Sequence, residues 1–426
     1  MDNMSYAADL VRDREITYID YVSEVSAAAF DTFDGVFRPW DMGYWKMVRN
    51  ARENGKKVIF ISGPAPVEII YAMDCIPLYL DLLPSRLSEN TVLTSRLIGE
   101  TEKRLNPTLC RLNMAELGVL LSGNMGVSPD AYVAVPIPCD SARTTYSSIE
   151  NLVEAPSFHF DIPLRHDERS LRYVEMQFTS FISFMEKVAG KELNWEKLEY
   201  HMELSDRAGR LLEKCAQLRR HKPCPMSSHM TVWNELMNAF SPTEDMSNLI
   251  NRELDICNAR IASGEGPCPG GEKHRVLLLH NMLWQGIDLT DWLESEYNAV
   301  TVMDGYCFRK REYFENRGSK QDCIRIMCKK MLSGSIVHGA GASGEELLEM
   351  VGGIVEDYSV DVCIFMGNSG CRHEWASTKM LTDSLQEKFG MSMLIFDVDN
   401  TDRKYKTDRE IKSAIAEYME TVIRKL

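Results

Sequence analysis

The sequence predicts an α/β protein: two Rossmann-like parallel-sheet domains separated by a helical block. Three observations carry that expectation. The apolar runs are short, rich in Val and Ile and collected in two groups; a long stretch of helical periodicity lies between the groups; and a segment dense in Gly and Pro precedes the second group. Apolar runs of this length that do not alternate with polar residues are the mark of strands covered on both faces, as in a parallel sheet.

In chain order, residues 1–47 read as helical and peripheral. A first α/β domain is expected over 48–165, with strands in "KVIFIS" (57–62) and "AYVAVP" (131–136). A helical block follows over 166–263, because 168–190, 193–220 and 228–263 carry apolar residues at three- and four-residue steps among charges. The segment "ASGEGPCPGGEKH" (262–274), with four Gly and two Pro, is the natural boundary. The second α/β domain is expected over 264–426, with strands in "HRVLLLH" (274–280), "VDVCIFMG" (360–367) and "MSMLIFDVD" (391–399) and a closing helix over 405–424.

Composition narrows the function classes. With 63 acidic and 48 basic side chains the net charge is -15, which repels a phosphate backbone, so no nucleic-acid partner is expected. No apolar run approaches the roughly 20 residues of a membrane span, and "MDNMSYAADLVRDRE" is too charged for a secretory leader. The expectation is a cytoplasmic protein with no membrane partner. In a reducing compartment its twelve cysteines are not a disulfide framework, which leaves buried thiols, metal ligands or nucleophiles.

The compact motifs are missing. There is no G-x-x-x-x-G-K-[ST], H-E-x-x-H, G-x-S-x-G or C-x-x-C. The stretch "GAGASGEE" (339–346) reads as a strand-to-helix turn. Cys323 and Cys328 have the C-x4-C spacing that opens a ferredoxin run but lack its continuation, so they read as helix cysteines. Cys75, Cys215, Cys257, Cys307 and Cys363 lie in apolar or helical contexts, where a small buried thiol is the default. Cys224 and Cys268 precede prolines in loops, and His280 and His373 read as structural or solvated residues.

Three cysteines remain. Cys110 follows "NPTL", Cys139 follows the strand that ends near Pro136, and Cys371 follows "IFMGNSG"; each stands where a loop runs into a helix. The free N–H groups and positive dipole of a helix N-terminus favour a thiolate. The carboxyl ends of strands in an open sheet are where ligands collect. Three such thiolates, drawn from two domains into one cleft, could hold an iron–sulfur cluster with one iron left without a cysteine. Three structural cysteines are the alternative that the spacing leaves open.

At these residues the sequence resembles the 2-hydroxyacyl-CoA dehydratase family, which includes benzoyl-CoA reductase subunits. The resemblance runs through "GPAPVEIIYAMDCIPLYL" (63–80), "LCRLNMAELGVLL", "CDSARTTYSSIEN", "GNSGCRHEW" and "LIFDVDNTDRKY", in the family's order. It implies a subunit of a heterodimeric, oxygen-sensitive dehydratase carrying a [4Fe-4S] cluster on Cys110, Cys139 and Cys371, with an iron open to the thioester carbonyl. It also implies an acyl-CoA substrate, a second dehydratase subunit and a separate ATP-dependent iron–sulfur activator protein.

The family's P-x-E-(I/L) element falls on Pro66, Val67, Glu68 and Ile69. That makes Glu68 the candidate to bond or protonate the departing hydroxyl, against a plain reading as a first-turn acid. Ser62, just before it, is a candidate polar contact with substrate, against a plain reading as a turn residue. Arg372 and His373 depart from the Lys-centred run expected after the third cysteine.

The implied reaction explains the cofactor. The β proton of a 2-hydroxyacyl thioester is not acidified by the carbonyl, so an ordinary base fails. A ketyl radical anion, made by one-electron reduction of the carbonyl, expels the α-hydroxyl and renders that proton acidic. Chain length suggests the larger, alpha subunit, with a short acyl group of the lactoyl kind. The alternatives are a benzoyl-CoA-reductase-like or double-cubane-cluster reductase subunit, and a non-catalytic cluster-bearing partner subunit.

Overall fold

A computed structural model describes residues 3–25, 37–137, 139–165, 167–228, 243–279, 288–305, 312–314, 318–334, 337 and 343–423. The chain opens with helix α1 (Asn3–Arg12), a short turn Tyr18–Asp20 capped by Thr17, a π-turn Tyr21–Val25 and helix α2 (Phe37–Arg49). This segment is not peripheral. Ile19, Val22, Phe37 and Trp45 are buried and belong to the main core. The reason is aromatic: Trp40 stacks on Tyr44 at 6.2 Å, Tyr44 meets Trp45 edge-on at 5.1 Å, and the Tyr44 hydroxyl donates to the carbonyl of Pro77 on the first sheet's edge.

The first sheet is built from β1 (Val58–Ser62), β2 (Ile76–Tyr79), β3 (Ala131–Ala134) and β4 (Ser157–His159). All pairs are parallel, in the order β2-β1-β3-β4. Between them run helices α3 (Val67–Ala72), α4 (Leu82–Leu87), α5 (Thr91–Glu102), α6 (Arg111–Ser122) and α7 (Asp140–Glu150). Every residue of β1 and β3 is buried, as their unalternating sequences require. Pro77 is tolerated because β2 is an edge strand.

Next come α8 (Glu168–Ala189), α9 (Trp195–Leu218) and α10 (Glu244–Ser263). Asp167, Asn194 and Thr243 cap their N-termini, and Gly190 and Gly264 close α8 and α10 in the left-handed conformation. The helical block is fastened to the first sheet by aromatic contacts, Phe158 on Phe181 at 5.2 Å and Phe160 on Phe178 at 5.5 Å. Residues 229–242 of the expected 228–263 helix lie outside the described residues.

The second sheet is again parallel, in the order β6-β5-β7-β8: β5 (His274–Leu279), β6 (Ala299–Asp304), β7 (Val362–Asn368) and β8 (Met393–Val398). Its helices include α11 (Lys320–Leu332), α12 (Gly344–Asp357), α13 (Arg372–Phe389) and α14 (Asp408–Thr421). One core runs from the first sheet through the helical block to α11 and α12, and a smaller one joins β5, β7 and α14. Among the described residues no helix is long and apolar enough to cross a membrane. Residues 339–342 of the glycine-rich stretch, Cys307 and His280 lie outside the described residues.

Both sheets reverse their strand order at one point, between β1 and β3 and between β5 and β7. A crevice at the carboxyl ends of the strands opens at such a point. At the first, the Val135 N–H donates to the Ser62 carbonyl at 2.9 Å, and Gly63 turns away with a φ of +81°. A β carbon on Gly63 would sit 2.3 Å from the Val135 carbonyl oxygen, so only glycine lets the chain leave β1 this tightly.

Candidate functional site

Each of the three singled-out cysteines is the N-cap of a helix: Cys110 of α6, Cys139 of α7 and Cys371 of α13. Cys139 follows β3 and Cys371 follows β7, the two strands flanking the reversal points, so the two sheets present them from their carboxyl ends. Of the eleven described cysteines, eight are buried and these three alone are partly exposed. The eight include Cys75, Cys215, Cys257, Cys323, Cys328 and Cys363, in agreement with their reading as packing residues.

Several contacts bring the three together across the two sheets. Gly370 presses against the backbone of Cys110: a β carbon there would lie 2.9 Å from Cys110 Cα and 2.9 Å from the Leu109 carbonyl oxygen. Asn368 Nδ2, at the end of β7, donates to Cys110 Sγ at 3.5 Å. The Cys110 N–H donates to Ser141 Oγ in the first turn of α7 at 3.0 Å, and the Ala142 N–H donates to Cys139 Sγ at 3.4 Å.

The electrostatics say the same. Burial pushes the Cys110 thiol up to about 12, and the neighbouring Cys139 adds to the rise. Burial also raises Cys371, with Glu374, Cys110 and Cys139 contributing, and it raises Cys139 despite the amides of Ala142 and Ser141. Helix N-termini pull each thiol toward the thiolate, but desolvation, mutual repulsion and the nearby acids Asp399 and Glu374 win. A cationic group among them would reverse the balance.

Around the thiols stands a polar frame that sequence reasoning missed. Asn368 Nδ2 also donates to Asn400 Oδ1 at 3.1 Å, and the Asn368 N–H donates to Glu374 Oε2 at 3.1 Å. Glu374, 3 % exposed, is pushed up to about 8 by burial. Asp399, after β8, accepts from the amides of Thr401 and Asp402 and lies 3.9 Å from the Arg111 guanidinium. His373 is half-buried, its imidazole lowered by burial and opposed by Asp140. The polar run "GNSGC" and the loop "DVDNTD" carried this signal, since polar residues directly after apolar strands line strand ends.

Ser62 ends β1 fully buried, and its hydroxyl bonds Glu116 on the helix that Cys110 caps. Glu68 lies elsewhere, in the first turn of α3, where it lines a cavity of about 110 Å³ with Pro64, Tyr79, Met327, Lys330 and Met331. Lys330 Nζ is held at 2.7 Å by Asp206. Among the described residues no hydrogen bond or ion pair joins Glu68 to the thiols. The structure therefore groups Ser62 with the helix of Cys110, and puts Glu68 in a small cleft between α3 and α11.

Residues 64–422 match the family model described as 2-hydroxyglutaryl-CoA dehydratase, D-component. The chain belongs to this family. It is 21 % identical over 405 residues to the lactoyl-CoA dehydratase subunit alpha of Anaerotignum propionicum, covering 87 % of this chain and 93 % of that one. It is 20 % identical over 322 residues to the (R)-phenyllactyl-CoA dehydratase alpha subunit of Clostridium sporogenes, covering 74 % and 76 %. It is also 20 % identical over 288 residues to the (R)-2-hydroxyglutaryl-CoA dehydratase subunit alpha of Acidaminococcus fermentans, covering 64 % and 56 %. The family match takes in all three helix-capping cysteines as well as Glu68.

Among the described residues no three His, Cys, Asp or Glu side chains are grouped to hold a single metal ion. Three thiols from three helices are the donor type that an iron–sulfur cluster takes, each on a separate iron, so Cys110, Cys139 and Cys371 are the residues of this dehydratase-family chain that could hold one.

Proposed function

We propose that this chain is the substrate-binding, alpha-type subunit of an oxygen-sensitive 2-hydroxyacyl-CoA dehydratase, holding a [4Fe-4S] cluster on Cys110, Cys139 and Cys371. The observation that carries the reading is the grouping of the three partly exposed cysteines at helix N-termini where the two sheets meet. When bound, the cluster supplies one-electron reduction and a Lewis-acidic iron to the thioester carbonyl, which is what loss of an α-hydroxyl and an unactivated β proton demands.

This chain's own residues do the rest. The amides opening α6, α7 and α13 offset the charge of three thiolates. Asn368 donates to the Cys110 sulfur and so favours an electron-rich site. To Glu68, which lines a cleft of about 110 Å³, we assign the role of accepting from or protonating a substrate hydroxyl, with a short acyl group of the lactoyl type as the substrate.

The relatives are named as alpha subunits, which supports a second dehydratase subunit as partner. A separate iron–sulfur activator is the expected site of ATP hydrolysis, so the lack of a G-x-x-x-x-G-K-[ST] loop in this sequence does not count against the reading.

The test is anaerobic copurification with the partner subunit, with iron and sulfide counted per chain. The wild type should hold close to four iron per chain, and Cys371→Ala should lose them together with the dehydration of short 2-hydroxyacyl-CoA. Dehydration retained by an iron-free Cys371→Ala protein would overturn the assignment. About twice the expected iron would point to a double-cubane reductase instead.

A further inference from the structure

The cleft that Glu68 lines has a second wall, drawn from far along the chain. One side is built by residues 64–66 and Glu68, which follow the carboxyl end of β1, and by Tyr79, the last residue of β2. The other side is α11, which contributes Met327, Lys330 and Met331. The cleft thus lies at the carboxyl edge of the first sheet, where an open α/β sheet takes its ligands.

Three neighbours on α11 give that wall its chemistry. Met327 and Met331 stand four residues apart on a single helix face, and both are buried members of the main core. Their positions are therefore fixed, while their thioether ends stay adaptable. Lys330, on the same turn, already has its anion: Asp206 Oδ1 holds its Nζ at 2.7 Å, and Ser205 Oγ accepts from it at 3.3 Å. Asp206 is fixed in turn, since its Oδ2 receives the Phe314 N–H.

Glu68 and Asp206 thus set two carboxyls against one ammonium. An acyl chain ending in a second carboxylate would bring a third, and its desolvation would go uncompensated. An uncharged aliphatic chain would meet methionine and proline carbon instead.

We propose that α11 selects the acyl group of the substrate: Met327 and Met331 set how long an aliphatic chain the cleft accepts, and the Lys330–Asp206 pair turns away a chain with a second carboxylate. The proposal deepens the dehydratase reading and rests on it, because it takes Glu68 as the residue that meets the α-hydroxyl. The β carbon is bonded to the same α carbon as that hydroxyl, so the chain beyond it runs along α11. Met327, Met331 and Lys330 act on the choice of substrate, and none of them passes a proton or an electron.

The test uses the protein copurified anaerobically with its partner subunit but without activator, so that binding is read without turnover. Titration calorimetry compares lactoyl-CoA, 2-hydroxyhexanoyl-CoA and 2-hydroxyglutaryl-CoA. In Met331→Ala the wall is shortened, and 2-hydroxyhexanoyl-CoA should gain about 10-fold or more in affinity relative to lactoyl-CoA. In Asp206→Asn the Lys330 charge loses its anion, and 2-hydroxyglutaryl-CoA should gain about 10-fold relative to lactoyl-CoA. Wild-type ratios in either variant overturn the proposal, as does wild-type protein that binds the dicarboxylate as tightly as lactoyl-CoA.

Urea unfolding and iron content show whether each variant is intact. Where Met331→Ala does not fold, Met331→Val shortens the same side chain and leaves a smaller void, and an unchanged ratio there overturns the proposal. Wild-type protein that holds its iron yet dehydrates none of the three thioesters when activator is supplied sinks the dehydratase reading and leaves the binding ratios standing. Dehydration with the ratios unmoved sinks only the role of α11.

Discussion

Gly370→Ala should push Cys371 away from Cys110. The new β carbon would lie 2.9 Å from Cys110 Cα and the Leu109 carbonyl oxygen and 3.0 Å from the Cys110 nitrogen, all backbone atoms that cannot swing aside. Ordinary contact begins near 3.4 Å, so the loop before α13 must retreat by about 0.5 Å, the difference between 3.4 and 2.9 Å. Overpacking of this kind costs about 1–3 kcal/mol. Gly370 is not among the glycines with positive φ, so the loss would come from the collision and not from backbone strain. Cys371 is the next residue, and its sulfur moves with the loop.

The assay is twofold: urea unfolding under anaerobic conditions, and iron and sulfide per chain after reconstitution. The variant should unfold at lower urea and bind less iron than wild type. Gly353→Ala, inside α12 with no atom within 4 Å of the added carbon, is the control and should be neutral or stabilising by up to about 1 kcal/mol. Wild-type iron content and unfolding midpoint in Gly370→Ala would refute the claim that this glycine sets the approach of the two sheets.

Further expectations concern the frame around the site. Gly63→Ala places a carbon 2.3 Å from the Val135 carbonyl at a φ of +81°, and should cost about 2–4 kcal/mol by thermal or urea unfolding. Asp41→Ala leaves the fully buried Arg86 guanidinium without its 2.7 Å partner and should cost about 3–5 kcal/mol; a loss below about 1 kcal/mol would show that the pair is dispensable. Asn368→Ala removes the donor to Cys110 Sγ and, with the proposed cluster reconstituted, should move its midpoint potential to more negative values, which a redox titration reads.

Burial raises the Asp81 carboxyl, which gives a pH test whose sign is fixed. Its folded value of about 6 lies above the unfolded carboxylate value of roughly 3.9, so the folded state binds the extra proton. Its contribution to stability is full below about pH 4 and is lost as pH rises toward about 6. Asp81→Asn should flatten the profile over that range relative to wild type, and an unchanged slope would contradict the raised value.

Much of this architecture was readable from hydrophobic patterning. All five expected strands are present within two residues of their runs, because β1, β3, β5 and β7 are interior strands whose Val and Ile content is unbroken. The three strands that escaped notice are edge strands: β2 contains Pro77, β4 has three residues, and β6 mixes Thr301 and Asp304 into its run. The edge position of β8 did not hide it, since "MLIF" is apolar throughout. The N-terminal helices read as peripheral because their charges mask a row of buried aromatics, Trp40, Tyr44 and Trp45.

At the site, helix-start position alone picked out Cys110, Cys139 and Cys371, and exposure separates the same three from the other described cysteines. What sequence could not supply was pairing across distance. Nothing in "IFISG" or "NMAELG" announces that Ser62 bonds Glu116, since one ends a strand and the other sits in a helix 54 positions later. A lone acid in the apolar run of α6 was nevertheless a cue, because a buried carboxylate needs a partner or a proton.

The capping positions of α6, α7 and α13 impose a timetable. Cys110 and Cys139 emerge from the ribosome together, whereas Cys371 follows 232 residues after Cys139, once the helical block and most of the second sheet have been made. A group that needs all three sulfurs can be completed only after Cys371 has been made, so the first sheet alone cannot hold it.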